Sequence, residues 1–123
     1  MGKRIIAIDF DGTIDKYTGW QGGPTFNCPI PGVAAALATF RDLGYIIVIN
    51  SCRADVLGIA SYMHTFGLPY DYINWSPRNE ELGLSRSKVA ADVYIDDKAV
   101  RFGGIWSNNF VNGVLDFKEH WRR

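Results

Sequence analysis

The architecture of the chain turns on residues 3–13, Lys3-Arg4-Ile5-Ile6-Ala7-Ile8-Asp9-Phe10-Asp11-Gly12-Thr13. Four consecutive apolar residues, Ile5 to Ile8, suit a strand buried on both faces. The run stops at Asp9 and Asp11, and Gly12 permits a sharp turn after it. If strand geometry persists, side chains two residues apart point the same way. Two carboxylates then share one small site, where they repel unless a cation or a shared proton lies between them.

Outward from this stretch, strands and helices alternate. Residues 15–31 hold Gly19, Gly22, Gly23, Pro24, Pro29 and Pro31 and read as a loop. Val33 to Leu43 has helical spacing, closed by Gly44. Tyr45 to Ile49 is a second buried strand. Arg53 to Phe66 reads as a second helix, stopped by Gly67 and Pro69. Tyr70 to Trp75 is a short third strand, and residues 76–87 are irregular. Val93 to Ile95 is a fourth strand ending at Asp96-Asp97. Arg101 to Trp106 is a candidate fifth strand, and Val111 to Trp121 a candidate closing helix. The expected fold class is α/β: a three-layer, doubly wound (Rossmann-like), mostly parallel sheet with helices on both faces.

The chain has 123 residues, which bounds it to a single domain, 1–123. Lys plus Arg and Asp plus Glu are 13 each, so no basic excess points to nucleic acid. No apolar run reaches the ~20 residues of a membrane span, and no signal peptide is evident at the N-terminus. Cys28 and Cys52 cannot build a disulfide scaffold; both are expected as reduced thiols, and the protein as cytoplasmic.

In a parallel sheet the ligand site lies beyond the carboxyl ends of the strands. Three strand ends here carry polar chemistry: Asp9/Asp11, Ser51 and Asp96/Asp97. Four acids converging there call for a hard divalent cation with oxygen ligands, Mg²⁺ above all. An EF-hand counted from Asp9 fails, because its sixth and twelfth positions are Ile14 and Trp20.

Asp9-Phe10-Asp11-Gly12-Thr13-Ile14 after a buried strand resembles motif one of the haloacid dehalogenase (HAD) superfamily of phosphohydrolases. Ser51 resembles motif two, Lys88 motif three, with Arg86 and Lys98 as competitors, and Asp96-Asp97 motif four. The likeness runs from residue 4 to 98 in the family's order. It implies a Mg²⁺-dependent phosphomonoester hydrolase working through an aspartyl-phosphate. Asp9 is then the nucleophile and Asp11 the general acid and base. Mg²⁺ is held by the Asp9 carboxylate, the Asp11 main-chain carbonyl and Asp96, with Asp97 a further ligand. Ser51 donates to a phosphoryl oxygen, and Lys88 neutralises the transferring group. Gly12 permits the turn at the substrate, and the Thr13 hydroxyl is expected on local backbone. Neither gap between motifs is long enough for the family's cap domain, so the resemblance implies a capless core with an open site.

Further residues extend the site. Ser51-Cys52-Arg53 resembles the S-x-R of the superfamily's polynucleotide 3′-phosphatase domains, where the arginine holds phosphate; solvation in a helix's first turn is the competing reading. Arg78 lies past another strand end and is a second candidate for substrate anions, against simple solvation. Cys52 reads as a small packed residue, His64 and His120 as structural or surface, and the 118–123 end as a solvated basic tail. The expected partner is a phosphorylated small molecule. Nucleic-acid ends remain an alternative, membranes are not expected, and a neighbouring subunit could close the open site. A receiver-like phosphoacceptor module without turnover is the competing class. The order of its acidic motifs disfavours it, since the third strand ends without an Asp.

Overall fold

The computed structural model describes residues 2–21, 25–85 and 87–122. Gly22, Gly23 and Pro24 of the expected loop, the motif-three competitor Arg86 and the tail residue Arg123 lie outside the described residues, as does Met1. Eight elements follow in order: β1 (Ile5–Asp9), α1 (Val33–Asp42), β2 (Ile46–Asn50), α2 (Val56–Thr65), β3 (Tyr72–Ile73), α3 (Pro77–Glu81), β4 (Val93–Ile95) and α4 (Asn108–Leu115). The strands form one parallel sheet in the order β3-β2-β1-β4. The fold is α/β, as the alternation of elements predicts.

β1 is paired on both sides, with Asp9 opposite Asn50 of β2 and Ile8 opposite Ile95 of β4. Its side chains alternate between two apolar clusters. Ile6 and Ile8 join Ile47, Ile49, Leu37 of α1 and Ile59 and Met63 of α2. Ile5 and Ala7 join Val48 and Val89 on the other face. Burying each such aliphatic side chain contributes roughly 1.5–3 kcal/mol, which a strand open to water on one face would forgo for half its residues. That is why the run Ile5–Ile8 is unbroken.

Helix boundaries follow local capping chemistry. The second helix starts at Val56 rather than Arg53, because the Asp55 carboxylate accepts from the Gly58 amide at 2.8 Å and sets the N-terminus there. Arg53 therefore belongs to the loop after β2. Within 76–87, α3 is an unforeseen helical turn: buried Ser76 caps it and Pro77 occupies its first position. The third strand shrinks to Tyr72–Ile73, since Asn74 takes a left-handed conformation with φ 55°. Arg101–Trp106 pairs with no described strand, so the expected fifth strand does not form. The last helix runs from Asn108, capped by Ser107, and ends at Leu115. Among the described residues no helix is long and apolar enough to cross a membrane.

The long connection after β1 is tied to the body by a buried carboxylate. Asp15 is fully buried; its Oδ1 accepts from the Tyr62 hydroxyl at 2.7 Å, and both its oxygens accept from the Asn27 amide. Burial pushes the Asp15 carboxyl above its ordinary range, against the pull of these donors. Burial, and then the hydrogen bond to Asp15, push the Tyr62 phenol up as well. Tyr62→Phe removes one donor while leaving the carboxylate buried, and is expected to cost about 1–3 kcal/mol, read as a lower urea midpoint with an unchanged m-value.

Candidate functional site

The chain winds from β1 outward through β2 to β3, then returns to place β4 on the other side of β1. Such a reversal opens a crevice at the carboxyl edge of the sheet. A cavity of about 570 Å³ lies there. Asp9 and Asp11 reach it from the end of β1, residues 52–55 from the loop after β2, and residues 96–98 from the loop after β4. Tyr17 and Trp20 complete its wall.

Asp9, Asp96 and Asp97 each offer one carboxylate oxygen to a cluster in which those atoms lie within 4.8 Å of one another. Asp9 is pushed up to about 8, first by burial, then by its hydrogen bond with Asp97 and by the charges of Asp96 and Asp97. A shared proton thus does what a cation would do: it relieves repulsion among converging carboxylates. The Thr13 hydroxyl donates to Asp9 Oδ2 at 3.3 Å, not to the local backbone. Asp97 Oδ2 accepts from the Trp121 indole, while Asp96 Oδ1 accepts from the Lys98 amide. Three clustered hard oxygen donors fit a Mg²⁺-sized divalent ion.

Asp11 lines the same cavity, yet its carboxylate is not in the cluster. The strand does not continue past Asp9: the amides of Thr13, Ile14 and Asp15 all close onto the Phe10 carbonyl, and Phe10 is buried. Asp11 turns instead to Arg53, whose Nε donates to both carboxylate oxygens and whose Nη2 donates to Oδ1 at 2.7 Å. Only the Asp11 main chain is left for the ligand role that the resemblance implies. The guanidinium lies 4.4 Å over the Phe26 ring, and Nη2 also donates to the Thr25 carbonyl. Hydrogen bonding and charge from Asp11 push Arg53 up. Its Nη1 is buried without a hydrogen-bond partner among the described residues. Arg53 is thus a built part of the site, not a solvated helix residue.

Gly12 has φ 81°, and a Cβ there would lie 2.2 Å from Asp97 Oδ2 and 2.9 Å from the Trp121 indole nitrogen. Glycine is required both for the turn and for the close approach of Asp97. Ser51, expected to donate to a phosphoryl oxygen, is not among the residues that line the cavity. Its amide donates to Asn74 Oδ1 at 2.7 Å, and its hydroxyl accepts from the Arg53 amide at 3.1 Å. Cys52, expected to be packed, is exposed on the wall of the cavity.

Arg78 and Lys88 do not line this cavity either. Arg78 pairs with Asp92 at 3.2 Å and donates to the Lys3 carbonyl. Asp92 in turn accepts from the Ile5 amide at 2.7 Å, at the amino edge of the sheet. That places Arg78 at the far end of β1, roughly 13 Å from Asp9 at ~3.3 Å per residue. Lys88 precedes that same edge. Its ammonium sits 5.0 Å over the Tyr94 ring and lines a separate hollow with Asn79 and Ser85. Lys98, the competitor, lines the main cavity.

The tail holds residues that sequence reasoning missed. A ring nitrogen of His120 meets the Gly12 carbonyl, and the Trp121 ring packs edge-on against Tyr17 at 4.8 Å. The 118–123 end is therefore not simply solvated; two of its side chains close on the motif-one turn. No local pattern marks them, because the first contact joins residues 108 apart.

No family model matches the chain, and no curated protein does. Among solved structures, the chain is similar to a conserved protein from Bacteroides thetaiotaomicron, with a TM-score of 0.65 and 28% identity. The match covers 93% of this chain and 90% of that one, and it supports the fold described above.

The raised Asp9 carboxyl makes stability pH-dependent with a defined sign. A carboxyl shifted from 3.8 to about 8 binds its proton more tightly in the folded protein, so its contribution is present below the lower value and lost as pH rises through the window. In EDTA, thermal stability is expected to fall across that window, and Asp97→Asn to flatten the slope. A slope unchanged in Asp97→Asn would show that the cluster is not its source.

Proposed function

We propose that this protein is a Mg²⁺-dependent phosphomonoester hydrolase in which Asp9 carries the phosphoryl group. The observation that supports it most is the meeting of Asp9, Asp96 and Asp97 at the sheet's reversal point, in one cavity with Arg53 and Lys98. The carboxylates of Asp9, Asp96 and Asp97 would hold Mg²⁺, which shields the anionic nucleophile from an anionic substrate and orients a phosphoryl oxygen.

The residues divide the work as follows. An oxygen of Asp9 forms a bond to phosphorus as the bond from phosphorus to the alcohol oxygen breaks. Once released from Arg53, Asp11 takes up a proton from solvent and gives it to the leaving oxygen, then takes one from the water that attacks phosphorus and frees Asp9. Both Asp11 oxygens are engaged by Arg53 in the free protein, so the guanidinium must shift before Asp11 can serve the leaving group. Incoming phosphoryl oxygens provide the exchange. They match the guanidinium fork, and Nη1 already stands without a partner among the described residues. Arg53 thus links substrate binding to the release of Asp11. Lys98, not Lys88, is the cavity's lysine and the better candidate for neutralising charge on the transferring group.

The cavity is larger than a phosphate requires, and the half-buried Tyr17 and exposed Trp20 flank the surplus space. A phosphorylated small molecule with an apolar or ring-bearing body suits that wall. The free, exposed thiols of Cys28 and Cys52 favour a reducing, cytoplasmic setting.

Phosphate release across sugar phosphates, nucleotides and 3′-phosphorylated oligonucleotides tests the reading. Turnover is expected in Mg²⁺, absent in EDTA and lost in Asp9→Asn. Activity that survives Asp9→Asn, or silence across the panel, would overturn it. Arg53→Ala is expected to lower kcat/KM by roughly 10–100-fold, the loss of a charge-assisted hydrogen-bonding pair, with KM raised.

A further inference from the structure

Exposed apolar side chains line β4 and the chain that follows it. β4 is an edge strand, and Val93 and Ile95 are exposed although they follow the register of buried Ile6 and Ile8 on β1. Beyond it, Ile105, Trp106 and Leu115 are 74%, 77% and 76% exposed. α4 is amphipathic, with Phe110, Val111, Val114 and Leu115 on one side and asparagines on the other, yet it buries no residue. Phe102, Trp106 and Phe110 stack on one another, with ring centroids 5.1–5.4 Å apart. The uncovered apolar side chains of this region expose on the order of 1,000 Å², counting ~150–250 Å² for a whole aromatic side chain. A typical monomer's largest patch is only ~300–600 Å². One side of a standard interface is ~800 Å².

The charge pattern narrows what could cover it. From Phe102 to Leu115 no residue is acidic, basic or histidine. A membrane-surface helix would carry lysine or arginine on its polar side; α4 carries asparagine. A charged partner would find nothing along Phe102 to Leu115 to complement its field. A second copy of the same surface meets neither difficulty, because a twofold contact needs a patch that does not repel itself. The chain also presents both halves of such a contact: an undocked amphipathic helix and a bare sheet edge.

We propose that the protein is a twofold dimer, with α4 and the Ile105–Trp106 segment of each copy covering the exposed β4 region of the other. The interface does not depend on the proposed reading of the site. It nevertheless bears on the site, because residues 98–119 leave from Asp97 and return at Trp121, which hydrogen-bonds to that same aspartate.

Sedimentation equilibrium of the full chain from about 1 to 100 μM tests the proposal, with Trp106→Asp and Leu115→Asp as variants. The wild type is expected at twice the chain mass in the upper range, with a Tm that rises with concentration. Both variants are expected at one chain mass, with far-UV circular dichroism unchanged because each side chain is exposed within the single chain. A wild type that stays monomeric throughout overturns the proposal. So does a dimer that persists in both variants, or a monomer that co-sediments with neutral phosphatidylcholine vesicles.

Discussion

β1 and β2 each have a neighbour on both sides and an apolar cluster on both faces, and β1 is the one that joins β2 to β4 and so brings their carboxyl ends together. Every other feature of the site is referred to it. Because both faces of Ile5–Ile8 are buried, the strand cannot slip by one residue without turning its side chains to the wrong cluster. That fixed register brings Asp9 to the carboxyl edge beside Asn50, and Asp96 follows Ile95 on the adjacent strand. The acids meet because the sheet's packing leaves them no other place.

Their meeting creates an electrostatic problem, which the free protein solves in two ways. Asp11 is neutralised by a guanidinium held in place by the Phe26 ring and the Thr25 carbonyl. Asp9 pairs with no cation among the described residues and retains a proton to higher pH beside Asp97. The first solution is directional and strong, since a two-pronged ion pair matches a planar guanidinium to a carboxylate. The second trades charge for neutrality and is the kind a divalent ion displaces. Both kinds of compensation therefore stand where a phosphate ester and its metal would act.

The loop after β1 and the C-terminal tail converge on the same turn. Asp15 anchors the loop to α2 through Tyr62, and Tyr17 carries the contact on to Trp121. Trp121 and the peptide of Gly12 then bracket Asp97. Asp97 is thus positioned by a tail more than twenty residues further along the chain. Nothing in the local sequence around Asp96-Asp97 reports this.

Local chemistry was enough for much of the reading. An unbroken apolar run, alternation with helical periodicity and acids at strand ends identified the parallel sheet, its carboxyl edge and the meeting of Asp9, Asp96 and Asp97, but not the turn after Asp9 that sends the Asp11 carboxylate to Arg53. These signals are short-range: strand burial and helical amphipathicity are written in neighbouring residues. The start of α2 was also written locally, in Asp55, where the apolar spacing alone placed it too early. Tertiary structure alone decided which cations face the acids. Arg53, Arg78, Lys88 and Lys98 all follow or precede strands, and long flexible side chains carry no periodic signal. What separated them was the edge of the sheet at which each segment enters or leaves. Asp92, bonded to the Ile5 amide, holds Arg78 at the amino edge, with Lys88 leading into that edge, while the loops after β2 and β4 deliver Arg53 and Lys98 to the carboxyl edge. Three-dimensional closure likewise placed Trp121 on Asp97, because a contact between distant segments depends on the path of the whole chain between them.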